Sequence, residues 1–218
     1  VMGKLFRLDK GNHLTLRNLY LHANLLADYA FYSDESDASE YNPYMTLDGA
    51  RFQNANVAAL SVSTFVAYMN KCVFGNSPIG LEYRGLDGAP STSTQITNCY
   101  AQDCGIGFYI RFLTYGALTA CAADRCDLAY RIDNGYGFSM TSCGTESSRK
   151  AIEFRAARNV AVNTFYALGV GSDDPANPEP YLVEHVTGSS NVVYNGFYVN
   201  NTGLAKSYEY KLRVSSVS

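Results

Sequence analysis

Residues 97–111 read TNCYAQDCGIGFYIR, and three more stretches of the chain superpose on them. These are NKCVFGNSPIGLEYR at 70–84, LTACAADRCDLAYRI at 118–132 and MTSCGTESSRKAIEF at 140–154. The copies share an anchor cysteine, and the separations are 27, 22 and 22 residues for Cys72, Cys99, Cys121 and Cys143. Phe165 follows 22 residues after the last anchor, and a further copy surrounds Phe197. The chain therefore carries an internal repeat of about 22 residues.

Each repeat contains a segment in which apolar and polar residues alternate. The ninth and eleventh residues after the anchor are apolar in every copy: Leu81, Phe108, Tyr130 and Ile152, then Tyr83, Ile110, Ile132 and Phe154. The tenth residue, between them, is Glu82, Tyr109, Arg131 or Glu153. Alternation with a period of two is typical of a β-strand that has one buried face.

A unit of about 22 residues cannot bury its apolar face alone, so successive copies must stack on one another. The short strands leave no room for a helix between them. The sequence therefore predicts an all-β fold, a single-stranded right-handed parallel β-helix with about 22 residues per coil, and a β-sandwich is the competing architecture. Equivalent residues of neighbouring coils are expected to lie about 4.8 Å apart.

We expect one β-helix domain over residues 1–218. The chain begins Val1-Met2-Gly3, and we expect it to be a fragment of a longer protein. Three segments that escape the repeat are predicted to be loops leaving the coil, at 27–44, 85–93 and 169–180. Ahead of the first anchor, Leu60 and Val62 are the predicted partners of Leu81 and Tyr83.

Composition argues against two kinds of partner. Charged residues make up 17% of the chain and the net charge is -3, so neutralisation of nucleic-acid phosphates is not expected. No stretch approaches the roughly 18 consecutive apolar residues of a membrane span, and the N-terminus has no signal-peptide pattern. We expect neither nucleic-acid binding nor membrane insertion.

Two copies of the repeat contain a second cysteine, Cys104 or Cys126, five residues after the anchor. Taken alone, this spacing could indicate disulfides or metal ligands. In the flanking copies the same position is Ser77 or Ser148, and serine is a poor zinc ligand. A column of small buried side chains is the favoured interpretation, with no metal and no cofactor. Six free thiols fit synthesis in a reducing bacterial cytoplasm.

Stacking of the repeats brings outward carboxylates together at the third position after the anchor. That column reads Gly75, Gln102, Asp124 and Glu146. Like charges on neighbouring coils can divide acid and base roles between two groups, as glycoside hydrolysis requires. The alternative is a turn from which both side chains point separately into water.

A second carboxylate pair is predicted on the strand that follows. Tyr109, Arg131 and Glu153 form one outward column, and the next contains Arg84, Arg111, Asp133 and Arg155. Asp133 and Glu153 would be diagonal neighbours, with Cβ atoms roughly 7–8 Å apart. The alternative is an exposed salt-bridge ladder that prevents lateral aggregation. His13, His22 and His185 share no spacing and carry no predicted role.

With coils such as ITNCYAQDCGIGFYI and inward aromatic ladders, the sequence resembles the pectate-lyase-like parallel β-helix superfamily, and within it the bacteriophage tailspikes and capsule depolymerases. The resemblance covers about residues 12 to 214 and rests on the style of the repeat. It implies a homotrimer in the virion tail that binds, and often cleaves, a bacterial surface polysaccharide through acidic residues. No catalytic motif of the family matches, and the calcium and arginine pattern of pectate lyases is absent.

The sequence thus predicts a glycoside hydrolase that acts on capsule or O-antigen. Glu146 is the expected acid and Asp124 the expected base, with Glu153 and Asp133 as the reserve pair. The sugar is expected to be held by Tyr109, Arg111, Arg131 and Arg155. Two alternatives remain: a non-catalytic glycan-binding or structural β-helix, and a polysaccharide lyase in which a tyrosine or arginine removes a proton from a uronic acid.

Overall fold

The computed structural model describes residues 3–8, 13–33, 42–62, 64–171, 181–186, 188–200 and 211–214. These ranges contain 21 β-strands and no helix, so none of them holds a helix that could cross a membrane. The strands are β1 Gly3–Leu8, β2 His13–Arg17, β3 Tyr20–His22, β4 Ala27–Ser33, β5 Asn42–Asp48, β6 Arg51–Gln53, β7 Val57–Val62, β8 Thr64–Asn70, β9 Val73–Arg84, β10 Ser91–Thr97, β11 Tyr100–Arg111, β12 Leu113–Thr119, β13 Ala122–Asp124, β14 Leu128–Asp133, β15 Ser139–Thr141, β16 Gly144–Glu146, β17 Lys150–Arg155, β18 Arg158–Leu168, β19 Tyr181–Val186, β20 Ser190–Asn200 and β21 Lys211–Val214.

The strands pair in parallel and form three ladders, which we call faces A, B and C. Face A contains β2, β5, β8, β10, β12, β15 and the first parts of β18 and β20. Face B contains β3, β6, β13, β16, the first parts of β9 and β11, and the last parts of β18 and β20. Face C contains β1, β4, β7, β14, β17, β19, β21 and the last parts of β9 and β11. The predicted parallel β-solenoid is confirmed, and its right-handed sense stays a prediction.

The register between coils follows the anchor cysteines. Tyr100 pairs with Val73 and with Ala122, and Ala122 pairs with Gly144. Each of these four paired residues directly follows an anchor cysteine. The anchors therefore stack in one column, and each is exposed to 2% or less: Cys72, Cys99, Cys121 and Cys143. The 22-residue repeat therefore predicts correctly, from Cys72 onward, which residues are neighbours along the solenoid.

The register of the early coils differs from the prediction by one residue. Leu60 pairs with Glu82, not with Leu81, so the predicted pairing of Leu60 and Val62 is wrong. Leu60 faces outward and is nevertheless buried, because it packs in an outer apolar cluster with Tyr32 and Val57. An outward leucine covered by such a cluster gives the same sequence pattern as an inward one.

Left-handed residues turn the chain from one face to the next at the same place in each coil. The residue before the anchor has a positive φ at Lys71, Asn98, Ala120 and Ser142, which ends face A. The fourth residue after the anchor does the same at Asn76, Asp103, Arg125 and Ser147, which ends face B. Because each corner recurs in register, the three faces stay aligned along the solenoid.

Aromatic rings fill the interior in a continuous stack. Neighbouring ring centroids lie between 4.9 and 6.0 Å apart through Phe6, Phe31, Phe52, Phe74, Phe108, Tyr130, Phe165 and Phe197. The stack moves between faces along the solenoid, since its members come from different positions in the repeat. Tyr83 and Tyr130 are fully buried, as the repeat predicts.

The first two predicted loops are shorter than expected. Ala27–Ser33 is strand β4, with Ala30 and Phe31 buried, and residues 42–44 begin strand β5, so the loop prediction is wrong for both ends of the first segment. Residues 34–41 lie outside the described residues. Leu86 and Ala89 form an antiparallel bridge that closes a small hairpin, and β10 begins at Ser91. Of the third segment, only 169–171 are described.

All six cysteines are free and buried, which favours the packing interpretation over the disulfide alternative. Ser77, Cys104, Cys126 and Ser148 stack in register, and Ser148 Oγ accepts a hydrogen bond from the Cys126 amide. Hydrogen bonding to Cys104, together with burial, raises the pKa of Cys126 above its ordinary value. Among the described residues no three His, Cys, Asp or Glu side chains are placed to hold a metal ion.

Candidate functional site

Asp124 and Glu146 are the last residues of strands β13 and β16, which lie on adjacent coils of face B. One carboxylate oxygen of Asp124 accepts a hydrogen bond of 2.8 Å from the backbone amide of Glu146. Glu146 itself is exposed, and Asp124 is half-buried. The structure therefore places the two residues of the first predicted pair on adjacent coils, with the Asp124 carboxylate held by the Glu146 backbone and the Glu146 side chain open to solvent. An acid and base role for the pair stays a prediction.

Tyr100 fixes the second oxygen of Asp124. Its hydroxyl donates a hydrogen bond of 2.8 Å to Asp124 Oδ2 on the neighbouring strand of face B. Burial, together with this bond, raises the pKa of Tyr100 from 10.0 to about 12. The Asp124 carboxylate thus has two donors, one on each oxygen, and together they define its orientation.

Small residues form a shelf beside the carboxylates. The column just after the anchors reads Tyr100, Ala122, Gly144 and Tyr166, in that order along the solenoid. Tyr166 is 43% exposed and stacks on Tyr198, with ring centroids 5.1 Å apart and planes 9° apart. A shelf bounded by aromatic rings is a shape that accommodates a sugar ring, because a sugar presents an apolar face to a tyrosine.

A shallow groove follows the corner between faces B and C. It has a volume of about 300 Å³ and is lined by Pro78, Gly105, Ile106, Asp127, Leu128, Arg149 and Lys150. These residues come from four successive coils, so the groove runs along the solenoid axis for roughly 14 Å at the spacing of parallel strands. Its apolar side chains come mainly from the first three coils and its charged groups, Asp127, Arg149 and Lys150, from the last two. This mixture suits a polar chain with apolar patches.

Arg131 lies between the two carboxylates of the second predicted pair. Its Nε is 3.2 Å from Asp133 Oδ1 and 3.4 Å from Glu153 Oε1. Tyr109 donates a hydrogen bond of 2.8 Å to Asp133, and Arg155 Nε donates one of 2.7 Å to Glu153. Asp133 and Glu153 are buried at 7% and 6% exposure. A salt-bridge ladder is thus present on face C, but the prediction that it is exposed is wrong for its carboxylates, because neighbouring side chains cover them. A catalytic role for this pair stays a prediction.

The network continues towards the groove through Lys150. Its Nζ lies 3.6 Å from Glu153 and 2.9 Å from Glu184 on the next coil. Lys150 also lines the corner groove. The ion pairs of face C therefore adjoin the groove and fix the position of one of its cationic side chains.

The two carboxylate pairs occupy different faces. The left-handed residue Arg125, with a φ of 52°, separates Asp124 on β13 from the face C strand β14. The predicted sugar-holding residues all lie on face C: Tyr109, Arg111, Arg131 and Arg155. The corner therefore separates them from Asp124 and Glu146. Binding of sugar by face C remains a prediction.

The raised phenol pKa values predict a loss of stability at high pH. Burial and the bond to Asp133 raise the pKa of Tyr109 to about 12, as burial and Asp124 do for Tyr100. The folded state keeps these protons between about pH 10 and 12 while the unfolded state releases them, so the free energy of unfolding falls as pH rises through this window. Chemical denaturation at a series of pH values measures the slope. Tyr100→Phe and Tyr109→Phe should each reduce it, with Tyr198→Phe as the control for removing one exposed hydroxyl.

The solenoid has a structural neighbour among solved proteins. It is the catalytic unit of the thermostable GH87 alpha-1,3-glucanase from Streptomyces thermodiastaticus strain HF3-3, at 12% sequence identity and a TM-score of 0.39. The superposition covers 84% of this chain and 51% of the glucanase unit, so the chain spans about half the length of that structure. The likeness concerns the fold alone. No family model and no curated protein matches the sequence.

The corner groove was not predicted from the sequence, although the repeat contains a signal for it. The seventh residue after the anchor is Ile79, Ile106, Leu128 or Lys150, and each is only partly buried. Ile106, Leu128 and Lys150 of this column line the groove, whereas Ile79 packs against the outer cluster of Tyr32, Val57 and Leu60. The alternation between the ninth and eleventh positions is the stronger pattern and masks this column.

Proposed function

We propose that this chain is a phage tailspike-type protein that binds and hydrolyses a bacterial surface polysaccharide, either capsule or O-antigen. The observation that carries the proposal is the Asp124–Glu146 pair on adjacent coils, beside a shelf of small residues bounded by tyrosines. A homotrimer in the virion tail belongs to the same proposal and comes from the resemblance of the repeat to tailspike sequences.

In the proposed reaction the protonated Glu146 carboxyl donates its proton to the glycosidic oxygen, and the bond from this oxygen to the anomeric carbon breaks. The Asp124 carboxylate removes a proton from a water molecule, whose oxygen forms the new bond to the anomeric carbon. Glu146 ends as a carboxylate and Asp124 as an acid, and solvent restores both. The two hydrogen bonds to Asp124 leave lone pairs on both oxygens to receive the proton.

The assignment of Asp124 as a base that activates water implies inversion at the anomeric carbon. Inverting enzymes hold their two carboxyl groups roughly 6.5–9.5 Å apart, with room for the water, whereas retaining enzymes hold them about 5–5.5 Å apart. Adjacent coils place the two backbones about 4.8 Å apart, so inversion requires the exposed Glu146 side chain to extend away from Asp124, which two hydrogen bonds hold in place.

The corner groove supplies the length that a polymeric substrate needs. A span of roughly 14 Å accommodates about three sugar units placed end to end, on the strand spacing of the coils that line it. Ile106 and Leu128 offer apolar contacts to sugar faces, and Arg149 and Lys150 offer charge at one end. Binding of the polysaccharide along the solenoid axis would place it next to the carboxylates of face B.

Incubation with purified capsular and O-antigen polysaccharides, followed by sizing of the products, tests the proposal. Shortening with a new reducing end on each product and no unsaturated uronate supports hydrolysis. Shortening that produces unsaturated uronate indicates a lyase and contradicts the assigned acid and base. Retention of the polysaccharide on the protein without any shortening indicates a glycan-binding protein and removes the enzymatic part of the proposal.

A further inference from the structure

Arg84 and Arg111 occupy the same outward position on adjacent coils of face C. The Nη1 atoms of both arginines approach a single carboxylate oxygen, Glu82 Oε1, at 3.7 and 3.6 Å. These separations exceed those of a charge-assisted hydrogen bond, which are about 2.7–2.9 Å. Two guanidinium groups thus share one carboxylate at long range, with a local excess of one positive charge.

The two arginines also carry unsatisfied donors. The Nε atoms of Arg84 and Arg111 are buried and have no hydrogen-bond partner among the described residues. Buried donors of this kind are uncommon in folded proteins, and they show that protein partners among the described residues do not saturate the two guanidinium groups. The side chains keep 34% and 31% exposure, so their outer edges can still be reached from solvent.

Neighbouring groups do not neutralise the pair. Asp133 pairs with Arg111 on the next coil. Its carboxylate oxygens accept hydrogen bonds from Tyr109 and Arg131. On the other side the column continues with Val62, which carries no charge. The Arg111 guanidinium lies 5.2 Å from the ring centroid of Tyr109, which fixes its plane.

We propose that Arg84 and Arg111 form an oxyanion-binding site that takes a carboxylate or sulfate substituent of an acidic polysaccharide. The glycan part of this inference rests on the proposed function, whereas the anion site stands on the geometry of the two arginines. A planar or tetrahedral oxyanion between two guanidinium groups on adjacent coils receives paired N–H donors and compensates the excess charge.

Calorimetric titration at constant ionic strength measures the site, with sodium sulfate, polygalacturonate oligomers and neutral dextran as probes. We expect sulfate and polygalacturonate to bind and dextran not to bind there. Arg84→Gln and Arg111→Gln should each weaken anion binding at least about tenfold, because each removes a charge-assisted contact. Arg84→Lys keeps the positive charge but loses the paired N–H donors of the guanidinium group, so its affinity for the anion should lie between those of wild type and Arg84→Gln. Arg158→Gln, which removes an exposed arginine from the surface of the solenoid, is the matched control and should bind like wild type.

Circular dichroism and thermal unfolding without anion confirm that each variant is folded. Anion binding that is absent in wild type, or equal in wild type and both glutamine variants, overturns the inference. Sulfate binding without polygalacturonate binding overturns its glycan part. If the wild type shortens polysaccharide but shows no arginine-dependent anion binding, this inference is overturned and the proposed hydrolysis is unaffected. If the wild type shows arginine-dependent anion binding but does not shorten polysaccharide, the proposed hydrolysis is overturned and the anion site stands.

Discussion

Glu146→Gln is expected to lower the rate of polysaccharide shortening by about 10²- to 10⁴-fold, the usual contribution of a general acid. The amide has nearly the shape of the carboxyl group but cannot transfer a proton to the glycosidic oxygen. Since Glu146 is exposed and only its backbone amide bonds to Asp124, the free energy of unfolding should change by no more than about 0.5 kcal/mol. Product sizing over time measures the rate.

Asp124→Asn tests the base in the same assay. The amide oxygen can still accept one of the two hydrogen bonds that Asp124 receives, so the fold of face B should persist while the capacity to remove a proton from water is lost. Asp87→Asn, at the exposed tip of the hairpin after β9, makes the same chemical change away from both pairs and is the control. Retained turnover in both Glu146→Gln and Asp124→Asn would transfer the assignment to Glu153 and Asp133, whose amide variants are then the next test.

Phe108→Ala is expected to destabilise the protein by about 3–5 kcal/mol, as large-to-small changes of buried aromatic residues do. Phe108 is fully buried and stacks on Tyr130, with centroids 5.3 Å apart, and it meets Phe74 edge-on at 6.0 Å. Removing the ring leaves a cavity in the middle of the aromatic stack, where the backbones of adjacent coils are fixed by their ladders and cannot close it. Urea denaturation of the isolated protein measures the change in the free energy of unfolding.

Tyr198→Ala is the matched control for this effect. Tyr198 also stacks on an aromatic partner, Tyr166, but it is 58% exposed on the outside of face B. Its loss should destabilise the protein far less than the loss of Phe108. Equal effects of the two substitutions would mean that the interior stack contributes no more than surface contacts, contrary to the role that the fold assigns to it.

Most of the coil register could be predicted from the sequence. The anchors Cys72 to Cys143 and the alternation at Phe108 and Ile110 recur at fixed spacing, and a repeat of fixed length leaves one way to stack them. The prediction is wrong at Leu60, where an outer cluster with Tyr32 buries an outward side chain. Hydrophobicity alone cannot distinguish burial inside the coil from burial beneath an outer cluster.

The sequence could place both carboxylate pairs on adjacent coils, but it could not assign them to faces. Asp124 and Glu146 meet because the third position after each anchor repeats. The separation of this pair from Asp133 and Glu153 depends on the left-handed corner at Arg125, and arginine gives no sequence signal for that conformation. Likewise, Arg131 could be placed beside Glu153, yet its simultaneous contact with Asp133 depends on the rotamer that its neighbours impose.

By itself, then, the sequence of 97–111 and its copies determined which residues stack along the axis, because each coil must repeat the buried pattern of the one before it. Only the tertiary structure decided what meets across and around the coil. The path of the aromatic stack from Phe74 to Phe108, the groove at the corner and the sharing of Glu82 by two arginines all depend on the angles of the corners and on side-chain rotamers. Those are set by packing between different positions of the repeat, about which its period carries no information.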